Sequence, residues 1–309
     1  MWNKNALLSV ALMFLVSCAD SGKVSDHVAE EDTVRTEGMF AMPTVPDSIT
    51  DPQARADYLL YHFWDNADFS DRGLLRDSVM LEQAMSNFIS VMDFTSGPGL
   101  QRGVNRLLEM SGKESGKTYS RIIEIADLYL WNAESPFRNE VHYHAFVRYE
   151  IMRGGEGAER ARYRLAEIER NRPGSMAPGF ELESIGGGTI AFRPGTGGRV
   201  TVLMFYDPDC DHCGDVIEAM RADMGLSRAI GSGEIRMIAA YIGADYELWQ
   251  RHAVTLPANW EIGIDRKMKI DSEDLYVVRA TPSIYLIGRE GEIILKDSDF
   301  AHLAEALGL

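Results

Sequence analysis

The sequence predicts an α/β C-terminal half preceded by a small all-α domain. Three observations carry this. From about residue 50 to 172 apolar residues recur only at helical spacing, with no alternating run. From 173 to 309, β-branched apolar runs alternate with helical stretches. Between them Arg172-Pro173-Gly174 stops any helix. The 309 residues suffice for about two domains.

The helical part starts with Asp51-Pro52, a capping acid followed by a first-turn proline. Tyr58, Leu59, His62 and Phe63 follow at helical spacing, and Val79 to Met92 continues the period. Ser96-Gly97-Pro98-Gly99 interrupts it. Val104, Leu107 and Leu108 mark a third helix, and Tyr119 to Leu130 a fourth. Ser135-Pro136 opens a fifth, and Ala158 to Asn171 forms a charged sixth. Trp64 and Trp131, with Tyr58, Tyr61 and Tyr143, read as core. His142 and His144 are two apart and do not share a helix face, so no metal site is expected from them.

In the α/β part, Phe180 to Ile185 and Thr189 to Phe192 flank the glycine turn 186–188 as two strands. Arg199 to Tyr206, β-branched and apolar from Val200 on but for Thr201, looks like a fully buried strand. Cys213 to Ile230 is helical, with Val216, Ile217, Met220 and Met224 on one face. Ile235 to Ile242 is a strand, Ala244 to His252 a helix and Trp260 to Ile264 a short strand. Ser283 to Ile287 and Glu292 to Leu295 form a hairpin, and Phe300 to Leu307 closes with a helix.

Chemistry concentrates at 207–213, Asp-Pro-Asp-Cys-Asp-His-Cys, between the buried strand and the helix. Two intervening residues let one turn bring the sulfurs of Cys210 and Cys213 within bonding distance. The first turn of the helix offers unpaired N–H groups that favour a thiolate. His212, when protonated, acts in the same direction. Asp207, Asp209 and Asp211 oppose it by like-charge repulsion. Three cysteines are too few for a disulfide-stapled scaffold, and the odd one is Cys18.

Met1 to Cys18 has a basic start at Lys4 and an apolar core, Ala6 to Val16, too short to span a bilayer and suited to a secretory signal. It ends in Leu15-Val16-Ser17-Cys18, which resembles a bacterial lipobox, cut before Cys18 and lipidated on its thiol. Residues 1–18 are therefore expected as a lipoprotein signal. The polar, acidic stretch 19–49 is expected as a disordered tether. The helical domain then covers 50–172 and the α/β domain 173–309. The chain would sit in the cell envelope, outside the cytoplasm, held to a bacterial membrane by its lipid.

The α/β part resembles the thioredoxin-like, TlpA/ResA-type envelope thiol–disulfide proteins. Met176-Ala177-Pro178-Gly179-Phe180 is similar to the entry motif ahead of the first hairpin. Cys210-Asp211-His212-Cys213 is similar to the redox motif. Ala280 to Ile287 is similar to the segment that carries the family's cis-proline, followed by the turn at Gly291. The resemblance implies a thioredoxin fold, Cys210 as attacking nucleophile and Cys213 as resolving thiol. It also implies a cis bond before Pro282, with Thr281 beside the sulfurs to pair with a client. The sequence departs from the pattern at Asp209, where many relatives have Trp, and at Met204, where many have a buried acid. Asp215 and Glu218 are the candidates for delivering a proton to Cys213. The helical part resembles a domain of unknown function found ahead of such modules in bacterial lipoproteins, on Tyr58 to Asp71 and Ser135 to Glu140.

Other classes fit less well. The net charge of -16 argues against a nucleic-acid partner and against electrostatic docking on anionic lipid. Cys210, His212 and Cys213 lack a fourth ligand for zinc, and Gly214 stands where haem attachment needs His. No cofactor is expected. The reading is an envelope thiol–disulfide oxidoreductase, with thiol- or disulfide-containing envelope proteins as clients and a membrane electron donor or acceptor. It is read as a reductant before an oxidant. The alternative is a scaffold lipoprotein whose helical domain binds the partner.

Overall fold

The computed structural model describes residues 40–69, 78–113 and 116–309. The signal segment, Cys18 and most of the tether lie outside the described residues.

Asp51 and Pro52 open the first helix, α1 (Pro52–His62), as their chemistry requires. Asp51 Oδ1 accepts the Ala54 N–H at 2.8 Å, and proline occupies the first turn, where its missing N–H costs nothing. Helices α2 (Ser78–Met92), α3 (Gly97–Ser111) and α4 (Gly116–Ala126) follow. Ser96 caps α3 by accepting from Gly99 N at 3.0 Å, while its hydroxyl donates to Asp57 of α1 at 2.6 Å. Gly103 lets α3 approach α1 closely, since a Cβ there would lie 2.7 Å from Leu60. The buried interior of this half includes Leu60, Phe63, Phe88, Leu107, Ile122 and Phe146.

The fourth helix ends in one π turn, Asp127–Trp131, closed by Asn132 N–H on Asp127 O at 2.9 Å. The expected fifth helix starts later than Ser135-Pro136. The Ser135 hydroxyl donates to Tyr129 O at 2.5 Å and accepts from Phe137 N, closing a turn instead. Asn139 takes the cap, accepting from Val141 N and His142 N, so α5 is Glu140–Arg153. Helix α6 is Gly157–Glu169.

The second half is a seven-stranded mixed sheet in the order β2-β1-β5-β4-β3-β6-β7. Its strands are β1 (Phe180–Ser184), β2 (Thr189–Phe192), β3 (Val200–Tyr206), β4 (Ile235–Tyr241), β5 (Glu261–Ile264), β6 (Ser283–Ile287) and β7 (Ile293–Ser298). Strand β3 runs parallel to β4 and antiparallel to β6. Its residues 201–206 are all buried, which explains why all but Thr201 are apolar. The helices are α7 (Asp211–Ala222), α8 (Met224–Ser232), α9 (Tyr246–Ala253), α10 (Lys269–Ser272) and α11 (Phe300–Leu307).

The helix expected over 213–230 is two. Asp223, at ψ 114°, ends α7 and caps α8 by accepting from Leu226 N at 2.8 Å. Val216, Met220, Leu226, Trp249 and Leu303 cover the Val202, Met204 and Met237 face. The opposite face, with Leu203, Phe205 and Ile238, packs with Phe180, Phe192, Ile270 and Tyr276. Among the described residues of this half, the long helices thus gather on one face, and the single turn α10 lies on the other. This is a thioredoxin-like sheet preceded by a helical region.

Polar side chains join the two halves. Asn171, at φ 54°, donates from Nδ2 to Leu275 O at 2.9 Å and accepts Val277 N–H on Oδ1 at 3.0 Å. Its amide thus matches one donor and one acceptor of the 275–277 backbone. Lys296 of β7 is almost fully buried. It donates to Glu140 Oε2 at 3.0 Å, Glu167 O at 2.6 Å and Ile168 O at 3.2 Å. All three ammonium protons are satisfied, and two of them cap carbonyls at the end of α6.

Candidate active site

Strand β3 ends at Tyr206, and the chain turns through Asp207-Pro208-Asp209 into α7. Asp207 sets this turn: its carboxylate accepts Asp209 N–H at 2.9 Å and its carbonyl accepts Cys210 N–H at 3.2 Å. Cys210 then occupies the cap position of α7, and its sulfur accepts the Cys213 N–H at 3.2 Å. The antiparallel register of β3 with β6 pairs Phe205 with Ser283. The residues just before Ser283 therefore lie beside the start of α7. The Thr281–Pro282 bond is cis, and Cys210 Sγ donates to Thr281 O at 3.3 Å. Cys210, Cys213, Thr281 and Pro282 are brought together.

The two thiols differ in setting. Cys210 is half-buried, and Cys213 is 1% exposed. Burial pushes the Cys213 thiol up to about 12. The Asp207 N–H, 3.5 Å from its sulfur, pulls the other way, the Cys210 sulfur adds to the rise, and a Thr281 side-chain hydrogen bond offsets part of it. Cys213 is therefore a protonated thiol at neutral pH. Cys210 can be reached from solvent while Cys213 waits behind it.

Residues 17–171, half of the chain, match the family described as a domain of unknown function, DUF5106. The chain belongs to the DUF5106 family. A crystal structure of a thioredoxin-like protein from Bacteroides caccae is similar over 87% of this chain and 98% of its own. The identity is 25% and the TM-score 0.78. A conserved protein of unknown function from Bacteroides fragilis is 29% identical over 44% of this chain and 98% of its own, with a TM-score of 0.41. The thioredoxin domain of a thiol-disulfide oxidoreductase from Bacteroides vulgatus is 17% identical over 44% of this chain and 96% of its own, with a TM-score of 0.39. No curated protein matches the chain.

In this DUF5106 protein Asp209, Asp211 and His212 surround Cys210 as exposed side chains. Asp215 and Glu218, the sequence candidates for moving a proton at Cys213, are exposed on α7, and Glu218 faces Arg221 at 4.0 Å. Neither makes a hydrogen bond to Cys213 among the described residues. Met204, noted in the sequence as a departure from the resembled pattern, is fully buried in the apolar face. Tyr206 and Trp249 share that core with Cys213, and the ring of His252 lies 5.6 Å from that of Tyr206. Burial pushes Tyr206 up and His252 down, and the charge of Asp207 counters the shift of His252. These groups come from β3 and α9, too far apart in sequence for spacing to reveal them.

Sequence reasoning also missed Arg279, two residues before Thr281. Its Nε donates to Asp297 Oδ2 at 2.7 Å, Nη1 donates to Trp131 O at 3.3 Å, and Nη2 faces Glu140 Oε1 at 3.3 Å. Its guanidinium lies 4.3 Å from the Trp131 ring centroid. Asp297 also accepts the Ser283 hydroxyl at 2.6 Å. The segment on both sides of the cis bond is thus held, in part by Trp131 and Glu140 of the helical region.

Proposed function

We propose that this protein is a thiol–disulfide oxidoreductase that reduces disulfides of client proteins. The observation that carries the reading is the placement of Cys210 Sγ, 3.2 Å from Cys213 N and 3.3 Å from Thr281 O, in front of a buried partner thiol.

Cys210, as thiolate, attacks one sulfur of the client disulfide. The client bond breaks, its other sulfur leaves as a thiolate that takes a proton, and a Cys210–client mixed disulfide forms. Cys213 loses its proton and attacks the Cys210 sulfur. The client's second thiol leaves, and a Cys210–Cys213 disulfide remains. Two electrons have passed to the client, and a thiol donor must restore the pair. The backbone beside Thr281 aligns the client. The reducing direction is supported by the surroundings: a strong oxidant needs a stabilised reduced form, yet Cys213 is raised and three aspartates flank the pair.

The proposal includes lipidation at Cys18 and a place on the outer side of a bacterial membrane. It rests on the Leu15-Val16-Ser17-Cys18 run. Clients would be envelope proteins with cystines, and a membrane protein would supply electrons. Insulin reduction by the wild type and by Cys210→Ser tests the chemistry. The variant is expected to lose all thiol-dependent rate, and equal rates would overturn the reading. A Cys213→Ser trap should accumulate mixed disulfides. Recovery of non-covalent partners alone would favour a scaffold instead.

A further inference from the structure

A groove of about 410 Å³ opens next to Thr281. One wall is the segment Val278 to Ala280, which leads into the cis bond. Among the described residues, the backbone of Val278 to Thr281 makes no backbone–backbone hydrogen bond. Among the described residues the N–H and C=O groups of Val278 to Ala280 thus lack a backbone partner, as at the edge of a sheet that takes an added strand, while Thr281 O accepts from Cys210 Sγ. The other wall comes from the helical region: Trp131 at the end of the π turn, Asn132 and Glu134 just after it, and Arg164 and Glu167 from α6.

The charges inside the groove are mostly neutralised in place. Arg279 is engaged by Glu140 and Asp297, and Arg164 by Glu167 at 3.2 Å. Both guanidinium groups also lie over Trp131, at 4.3 and 4.6 Å from its centroid. Glu134 differs. It is exposed, and its carboxylate has no ion pair or hydrogen bond among the described residues. Beside Cys210 the carboxylates of Asp209 and Asp211 are exposed and have no ion pair among the described residues.

We propose that the DUF5106 region forms one wall of the client-binding groove and selects extended segments with basic residues beside the cystine. This rests on the oxidoreductase reading and extends it. The backbone of 278–280 pairs with the client main chain. Trp131 and the arginines hold that wall in place, and Glu134 meets a lysine or arginine of the client. The helical region then acts on specificity without touching the sulfurs.

The test uses two cystine-containing peptides of equal length, one with lysines and one with glutamates flanking the cystine. Binding is measured to the full chain carrying Cys210→Ser and Cys213→Ser, so that no exchange occurs. At low salt the lysine peptide is expected to bind about tenfold more tightly, and the preference should shrink towards unity in ~0.5 M salt. Adding Glu134→Gln should lower the preference about threefold with no change in melting temperature. Equal binding of the two peptides, or a preference untouched by Glu134→Gln, overturns the proposal. Failure of the underlying redox reading has a separate signature: the wild type would not reduce 2-hydroxyethyl disulfide, whatever the peptides do.

Discussion

The helical half and the sheet half are held together and put to use by opposite means. At the sulfurs, the sheet half removes water: Cys213 is buried against Val216, Met220 and Trp249, and its thiol is raised to about 12. At the junction, buried charge is abundant and matched. Lys296, Arg279, Glu140 and Asp297 neutralise one another within 3.3 Å. Desolvation without a counter-charge suits a thiol that must stay protonated until needed. Desolvation with matched charges suits a contact that must hold one geometry. The contrast places the work of the helical half at the segment it grips ahead of the cis bond, 275–279.

The largest effect expected from this contrast is at Cys213. In Cys210→Ser, iodoacetamide should modify Cys213 about a thousandfold more slowly at pH 7 than an ordinary thiol, from the thiolate fraction alone. A rate within tenfold of free cysteine would mean that water reaches the sulfur and the contrast is lost. Next is Glu140→Ala, which takes from Lys296 its carboxylate and from Arg279 one of two. It should destabilise by about 3 kcal/mol and expose Cys213 to alkylation in the same denaturant range in which the helices unfold. Two separate transitions would show that the halves unfold independently.

A smaller effect concerns pH. Cys213 is raised in the folded state, so its contribution to stability is complete below pH 9 and is lost as pH rises from 9 towards 12. The reduced wild type should lose about 1 kcal/mol more than Cys213→Ala between pH 8 and pH 10. Equal losses of unfolding free energy by the two proteins, from urea titrations at the two pH values, would contradict the buried thiol. The smallest change is Asp51→Ala, which removes the α1 cap. It should cost about 1 kcal/mol and leave insulin reduction unchanged.

The elements were largely legible because each rests on local signals. Asp51-Pro52, the apolar run 200–206 and the Cys-x-x-Cys at a strand–helix boundary needed no tertiary information. Misreadings arose where a side chain chose among local partners. Asp223 capped a new helix where the apolar period alone predicted continuity. Ser135 closed a turn where a helix start was expected, and Asn139 took the cap. Trp131 read as core, and it is nearly buried, yet its ring carries two arginines at the edge of a groove.

The sequence by itself determined the α/β character of the second half, the helical character of the first, and the two sulfurs at the head of one helix. Strand periodicity, caps and a two-residue spacing act over a few residues, and their physics is complete within that range. Only the tertiary structure decided that Cys213 sits dry behind Cys210 and that Thr281 faces the pair. It also decided that Trp131 and Glu140 reach across about 140 residues to hold Arg279. Those outcomes depend on burial and on charges meeting across the fold, and neither quantity exists until the chain has closed on itself.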